Sequence, residues 1–152
     1  MDRRLSVPMR ILFYAYLMTM PILLIFGFTY LLRSKFMPYH AVATGLAWEQ
    51  VPSGIQFVFI AMMRVIGGSF IALVIVVTTI LVIPFKQGYR WAHYCVPITG
   101  IACAGSSLYA TAQLKLQTGA NAPWIAALIP VVVYVIGLII TATLPRESNQ
   151  AL

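Results

Sequence analysis

The sequence predicts an all-α protein: a bundle of four membrane-spanning helices with a long, partly folded outer loop between helices 1 and 2. Of the 152 residues, 61% are hydrophobic and only 9% are charged, and the mean hydropathy is +0.91. A soluble domain of this size could not hide so much apolar surface. The apolar residues also gather in four runs that basic residues flank, so residues 1–152 are expected to form one integral membrane domain.

The first predicted span covers residues 11–32 and is closed by Arg33 and Lys35. Because it follows Arg3, Arg4 and Arg10, it resembles a signal peptide. Its length, and the lack of a small-residue cleavage motif before Arg33, favour a retained span instead.

The other predicted spans cover residues 55–85, 91–116 and 123–144. Each reaches the roughly 20 residues that a helix needs to cross a bilayer, and the second is long enough to tilt. The connections at residues 86–90 and 117–122 are short. Helices 2, 3 and 4 are therefore expected to be antiparallel neighbours.

The loop at residues 33–54 is long for a connector in a small bundle. A connector of this length is usually functional or folded over another part of the protein. Its side chains Phe36, Tyr39, Leu46 and Trp48 predict a cap over the outer mouth of the bundle. The alternative is that these residues only anchor the loop in the membrane interface.

The basic residues also predict the orientation of the chain. With four spans, one side holds six basic residues and the other three: Arg3, Arg4, Arg10, Lys86, Arg90 and Arg146 against Arg33, Lys35 and Lys115. The positive-inside rule then places both termini in the cytoplasm. The net charge of +7 follows this flanking pattern and forms no patch, so nucleic acid is not an expected partner.

Arg64 lies inside the second span, nine residues from its outer end. That spacing corresponds to about 13 Å along a helix. A charge at membrane depth costs roughly 2.5–3.5 kcal/mol even on lenient insertion scales, and it usually marks a partner, a cavity or a ligand.

Polar residues in the third span are predicted at a matching depth. Ser106, Tyr109 and Gln113 share one helix face, and Tyr109 is expected about 12 Å from the outer end. With Arg64 they predict a ligand-binding polar pocket in the outer leaflet, over which Glu49, His40 and Trp48 of the loop are expected to close. Alternatively, Arg64 ties helices together, extends toward the surface or contacts another subunit.

Several chemistries are not expected. His40 and His93 are predicted on opposite membrane sides, and no spacing suggests a metal ligand set or a catalytic base with its orienting group. Cys95 and Cys103 lie eight residues apart on one helix, about 12 Å by helix rise, which exceeds the reach of a disulfide. No cofactor is predicted, apart from a bound lipid or quinone.

Three stretches carry a family resemblance: Arg64–Gly68, the loop residues Pro38–His40, and Thr118–Trp124. Together with the four compact spans they resemble the DoxX-like small bacterial membrane proteins, especially relatives with no assigned biochemical function. The resemblance implies a four-helix bundle in the bacterial inner membrane. Some DoxX proteins are linked to quinone-dependent membrane oxidoreductases, but no catalytic residue carries over.

Three functions follow as hypotheses, and the residues favour a non-enzyme. The first is a binding or accessory protein that holds a lipid, quinone or similar amphiphile in the pocket around Arg64. The second is a structural subunit of a larger membrane complex or a homo-oligomer, with Arg64 as a packing residue and Gly100–Gly105 as a contact face. The third is an intramembrane isomerase with His40 and Glu49 as acid and base.

Overall fold

Residues 5–144 are described by the computed structural model, and they form an all-α structure without a strand in that range. The helices are α1 (Val7–Leu32), α2 (Pro38–Thr44), α3 (Ser53–Ile80), α4 (Arg90–Thr118) and α5 (Trp124–Thr143), with a 3-10 turn at Trp48–Gln50. Helix α3 continues as a π-helix over Leu81–Phe85. The predicted fold class, all-α with four long apolar helices, is confirmed.

Local sequence explains where the helices begin and end. Pro38 and Pro52 stand at the starts of α2 and α3, where a missing backbone N–H is harmless. Gly45 and Gly119 end α2 and α4 with φ of 67° and 71°, a left-handed conformation that glycine adopts without steric cost.

Four of the helices are long and apolar enough to cross a membrane: α1, α3 with its π-helix, α4 and α5. Their outward surface is also apolar, with side chains such as Ile25, Val65 and Ile139 more than half exposed. Exposed apolar surface on this scale marks a membrane or partner contact in a folded protein. The chain therefore has the character of a membrane protein.

The helices pack as two antiparallel pairs, α1 with α3 and α4 with α5. We call the end of the bundle with the turn at residues 86–89 the Lys86 end, and the end with residues 33–52 and 119–123 the Trp48 end. The main core lies toward the Lys86 end and joins the two pairs; its fully buried members include Tyr16, Leu81, Phe85 and Ala92. Toward the Trp48 end the pairs separate, and this separation creates the space described below.

The connection between α1 and α3 folds as a cap at the Trp48 end. Phe36 and Val51 are buried with Met63 of α3, and Trp48 and Phe59 pack against this cluster. The ring centroids of Phe36 and Trp48 are 4.9 Å apart, edge to face. Of the residues that predict the orientation, Arg3, Arg4 and Arg146 lie outside the described residues.

Candidate functional site

A cavity of about 230 Å³ lies between α1, α3, α4 and α5. Its lining is mostly aliphatic or aromatic, from residues such as Leu23, Phe26, Phe70, Leu73 and Ala127. It occupies the half of the bundle toward the Trp48 end, where the two helix pairs separate. We take this cavity as the candidate site, because all four long helices contribute to its lining.

Tyr134 and Thr19 form the floor of this cavity. Tyr134 extends from α5 across Gly100 of α4, where a Cβ atom would lie 2.5 Å from Cζ of the tyrosine ring. Its hydroxyl then reaches the Thr19 hydroxyl of α1 at 2.7 Å. Glycine at position 100 is therefore required for the ring to bridge the two helix pairs.

Tyr16 supports the floor from the Lys86 end. Its ring stacks on that of Tyr134, with centroids 5.2 Å apart and an interplanar angle of 21°. The Tyr16 hydroxyl lies against Gly137, and it has no hydrogen-bond partner among the described residues. The position of the Tyr134 ring is thus fixed by its stacking on Tyr16 and by its hydrogen bond to Thr19.

We call the part of the cavity nearest the cap its mouth. Tyr30 of α1 lines the cavity, and its hydroxyl is hydrogen-bonded to that of Tyr39 in α2. Helix α2 also contacts α4, so it crosses the Trp48 end of the cavity between the two helix pairs. That loop 33–54 closes over a ligand site stays a prediction.

Arg64 faces away from the cavity. Ile66 and Leu73 of α3 line the cavity, and they lie about 200° and 180° around the helix from Arg64 at 100° per residue. Arg64 is exposed, and among residues 5–144 it makes no side-chain hydrogen bond or salt bridge. The polar contacts expected around Arg64 are therefore not formed within the described chain.

Arg64 also lies nearer the Trp48 end than the length of its apolar run suggests. A Cβ atom on Gly67 would lie 2.6 Å from the Gly27 carbonyl oxygen and 2.6 Å from the Leu31 nitrogen, so Gly67 is level with the last turn of α1. Arg64 is three residues, or about 4.5 Å, closer to the Trp48 end. It is thus level with Arg33, where α1 has ended.

The length of α3 then separates into two parts. Residues 65–85 lie between Arg64 and Lys86 and span about 32 Å, close to the roughly 30 Å hydrocarbon thickness of a bilayer. Residues 53–63 lie beyond Arg64, where Phe59 and Met63 pack against the cap. The apolar part of α3 between Arg64 and Lys86 is therefore long enough by itself to cross a bilayer.

A spin label measures this depth directly. In a chain with Cys95 and Cys103 replaced by alanine, we expect a label at position 64 to collide with a water-soluble nickel chelate, as a label at position 33 does. A label at Ala72, about 12 Å deeper along α3, should collide with dissolved oxygen more than with the nickel chelate. A label at position 64 that is as protected as the one at position 72 would contradict the assignment.

The three polar residues expected beside Arg64 also lie outside the cavity lining. Tyr109 is 69% exposed. Ser106 is exposed and donates to the Cys103 carbonyl oxygen, while Gln113 accepts from Gln117 at 3.1 Å. Their neighbours on α4, Ser107 and Thr111, line the cavity.

The loop residues of the expected site take separate positions in the cap. Glu49 accepts from Lys35 at 2.7 Å, and this hydrogen bond holds the pKa of the Glu49 carboxyl below its usual value. His40 accepts from the Met37 backbone N–H through Nδ1, and burial lowers its pKa. Trp48 packs on Phe36, so the structure does not gather Glu49, His40 and Arg64 at one point.

Sequence reasoning missed the floor residues Thr19, Tyr134 and Tyr16. One available signal was that polar side chains stand in the middle of two apolar runs, far from either end. Such side chains have to find partners inside a bundle. The contact between Tyr134 and Gly100 could not be predicted from the sequence, because it depends on the packing of α4 against α5.

Among residues 5–144, no three side chains of the metal-ligating types lie together. Cys95 and Cys103 are free thiols, and Cys103 lines the cavity. No family model, curated protein or solved structure matches the chain. The site must therefore be interpreted from its own geometry.

Proposed function

We propose that the protein is an integral membrane protein that binds the hydrocarbon part of a lipid, quinone or similar amphiphile in the cavity. One observation carries this proposal: the cavity is lined by apolar side chains, closed at its floor by Tyr134 and Thr19, and bordered at its mouth by Tyr30. Apolar pockets with a few placed polar groups are typical of small-molecule sites. A binding or accessory role fits this site better than catalysis does.

The size of the cavity supports an occupant. Unfilled apolar cavities cost about 24 cal/mol per Å³ in proteins. The cavity has a volume of about 230 Å³ and apolar walls, and walls that face empty space lack the dispersion contacts that an occupant would supply. A hydrocarbon chain that fills the cavity would recover much of this free energy.

We place the cavity in the outer leaflet on the orientation that the basic residues predict. With both termini in the cytoplasm, the Trp48 end faces outward and the cavity lies in the outer-leaflet half. The proposed site differs from the pocket around Arg64, because Arg64 points to the opposite side of α3. Arg64 is proposed to meet lipid headgroups or a partner at the interface.

Filling the cavity tests the proposal. Ala104 lines the cavity, whereas Ala102, two residues away on α4, is exposed and outside the lining. In native mass spectrometry of the detergent-extracted protein, Ala104→Phe should reduce a retained amphiphile at least about tenfold, since the ring occupies its volume. Ala102→Phe should leave the adduct unchanged.

Three results would contradict the proposal. One is an adduct of the same mass and intensity in the wild type and the folded Ala104→Phe variant. Another is the absence of any adduct from the wild type together with no binding of added amphiphile. Comparable losses in both variants would likewise show that the cavity is not the site.

A role as a subunit of a larger membrane complex is the second candidate. Gly68 and Gly105 have no atom within 4 Å of an added Cβ, so they leave open small-residue positions on α3 and α4. Small residues allow close helix approach in membranes. A protein that co-purifies with the wild type and is lost on Gly68→Leu would support this role.

We also propose the bacterial inner membrane as the location, with both termini cytoplasmic. The location rests on the DoxX resemblance, and the orientation rests on the basic residues. Six of them belong to the Lys86 end and four to the Trp48 end, once Arg64 is counted at the Trp48 end. Cysteine labelling from either side of intact cells, at positions 34 and 87, would test the orientation.

A further inference from the structure

The hydroxyl groups at the cavity floor have already used their hydrogens. Thr19 donates its single hydroxyl hydrogen to the Tyr16 carbonyl oxygen at 2.7 Å. The 2.7 Å bond between Thr19 and Tyr134 therefore has Tyr134 as its donor, because a hydroxyl carries one hydrogen and two lone pairs. Both oxygens still have lone pairs, so the floor can accept hydrogen bonds but cannot donate them.

The polar groups of the walls have the same character. Ser107 donates to the Cys103 carbonyl oxygen and Thr111 to the Ser107 carbonyl oxygen, at 3.0 Å and 2.8 Å. Pro130 has no N–H, so the carbonyl oxygen of Ala126, another lining residue, lacks its usual donor four residues on. Apart from the weak thiol donor of Cys103, the described interior of the cavity offers acceptors only.

The mouth differs from the interior. One hydrogen of the Tyr30 and Tyr39 hydroxyls is used in the bond between them, which leaves the other free to donate. When Tyr39 is the donor in that bond, Tyr30 can satisfy a ligand group that only accepts hydrogen bonds. The same group at the floor would face oxygen lone pairs without a donor, an arrangement that is unfavourable in an apolar site.

We propose that the cavity is selective for uncharged amphiphiles with a hydroxyl head, such as a long-chain alcohol or a quinol, and that the hydroxyl donates to Thr19 or Tyr134 at the floor. The inference rests on the proposed function, since it specifies the ligand of that cavity. It disfavours the oxidised quinone, whose carbonyls only accept, and ionised fatty acids, whose charge needs donors. Residues Thr19 and Tyr30 are eleven positions apart on α1, so the tail would extend about 16 Å to the mouth.

Cys103 provides a measurement of occupancy. It lines the cavity, whereas Cys95 does not, so a Cys95→Ala variant leaves one reporter thiol in place. The rate of its modification by a small methanethiosulfonate would be measured against rising amounts of dodecanol or undecyl methyl ether. These two probes have the same number of heavy atoms, but only the alcohol can donate a hydrogen bond.

We expect dodecanol to protect Cys103 at concentrations about tenfold lower than the ether, the effect of about one hydrogen bond. Thr19→Val removes the acceptor of Tyr134, whose hydroxyl hydrogen becomes free to bind the ether oxygen. The preference for the alcohol should then fall below about threefold, and Thr19→Ser should restore it. A Cys103→Ala variant, which keeps Cys95, should show no protection by either probe.

Each outcome has a separate meaning. Equal protection by alcohol and ether in the parent variant would overturn the selectivity and leave the proposed function standing. A preference that survives Thr19→Val would overturn the placement of the hydroxyl at the floor. Protection by neither probe would contradict the proposed function itself.

Discussion

Gly67→Ala is expected to destabilise the bundle by about 2 kcal/mol or more, within the range of overpacked interiors. The added Cβ would lie 2.6 Å from the Gly27 carbonyl oxygen and from the Leu31 nitrogen. Both are backbone atoms of α1, so no side-chain rotation can relieve the overlap, and α1 and α3 would have to move apart. Unfolding by dodecyl sulfate in mixed micelles would measure the loss.

The adjacent glycine provides the control for this prediction. Gly68 has no atom within 4 Å of an added Cβ. Gly68→Ala should therefore stay within about 1 kcal/mol of the wild type, the scale of helix propensity alone. Equal stability of the two variants would show that α1 and α3 do not cross at Gly67.

Tyr16→Ala is expected to cost about 3–5 kcal/mol of unfolding free energy, as for other large buried aromatic residues. Tyr16 is fully buried, and its ring stacks on Tyr134 and packs edge to face on Phe85. Its loss would leave a void under the cavity floor. The variant should therefore lose bound amphiphile together with stability, measured by the same unfolding titration and by native mass spectrometry.

Tyr16→Phe separates the ring from its hydroxyl. Because the hydroxyl is buried without a partner among residues 5–144, its removal should stabilise the protein by about 1 kcal/mol. A loss of more than about 1 kcal/mol would instead show that the hydroxyl makes a hydrogen bond in the folded protein.

Much of the fold could be predicted because hydrophobicity along a chain needs no knowledge of packing. The predicted end of the first span, residue 32, coincides with the end of α1, and the second span was predicted to reach residue 85. Basic residues and prolines mark these ends locally. The cap was expected from loop length and aromatic content, but its contacts, such as Phe36 with Met63, could not be derived from either.

The candidate site was less predictable, because a polar residue in an apolar run does not reveal which way it points. The apolar run around Arg64 predicts a charge at membrane depth that faces a pocket. In the structure the Arg64 side chain lies opposite Leu73 on α3 and outside the cavity. The sequence predicts Ser106 as a pocket residue, but it is the next residue, Ser107, that lines the cavity. One position along a helix is a rotation of about 100°, and only the packing of neighbouring helices decides which residue faces inward.

The four long apolar helices and the residues near their ends could be derived without any knowledge of packing. These are properties of composition and local geometry, set by hydrophobic runs of about 20 residues or more and by proline, glycine and charged residues at their ends. The heights and rotations of the helices depend instead on how the helices pack against one another. Close contact at Gly67 sets Arg64 level with the end of α1, and Gly100 lets Tyr134 reach Thr19 across the bundle. These contacts join residues far apart in the chain, and they depend on backbone approach distances that no local pattern of residues records.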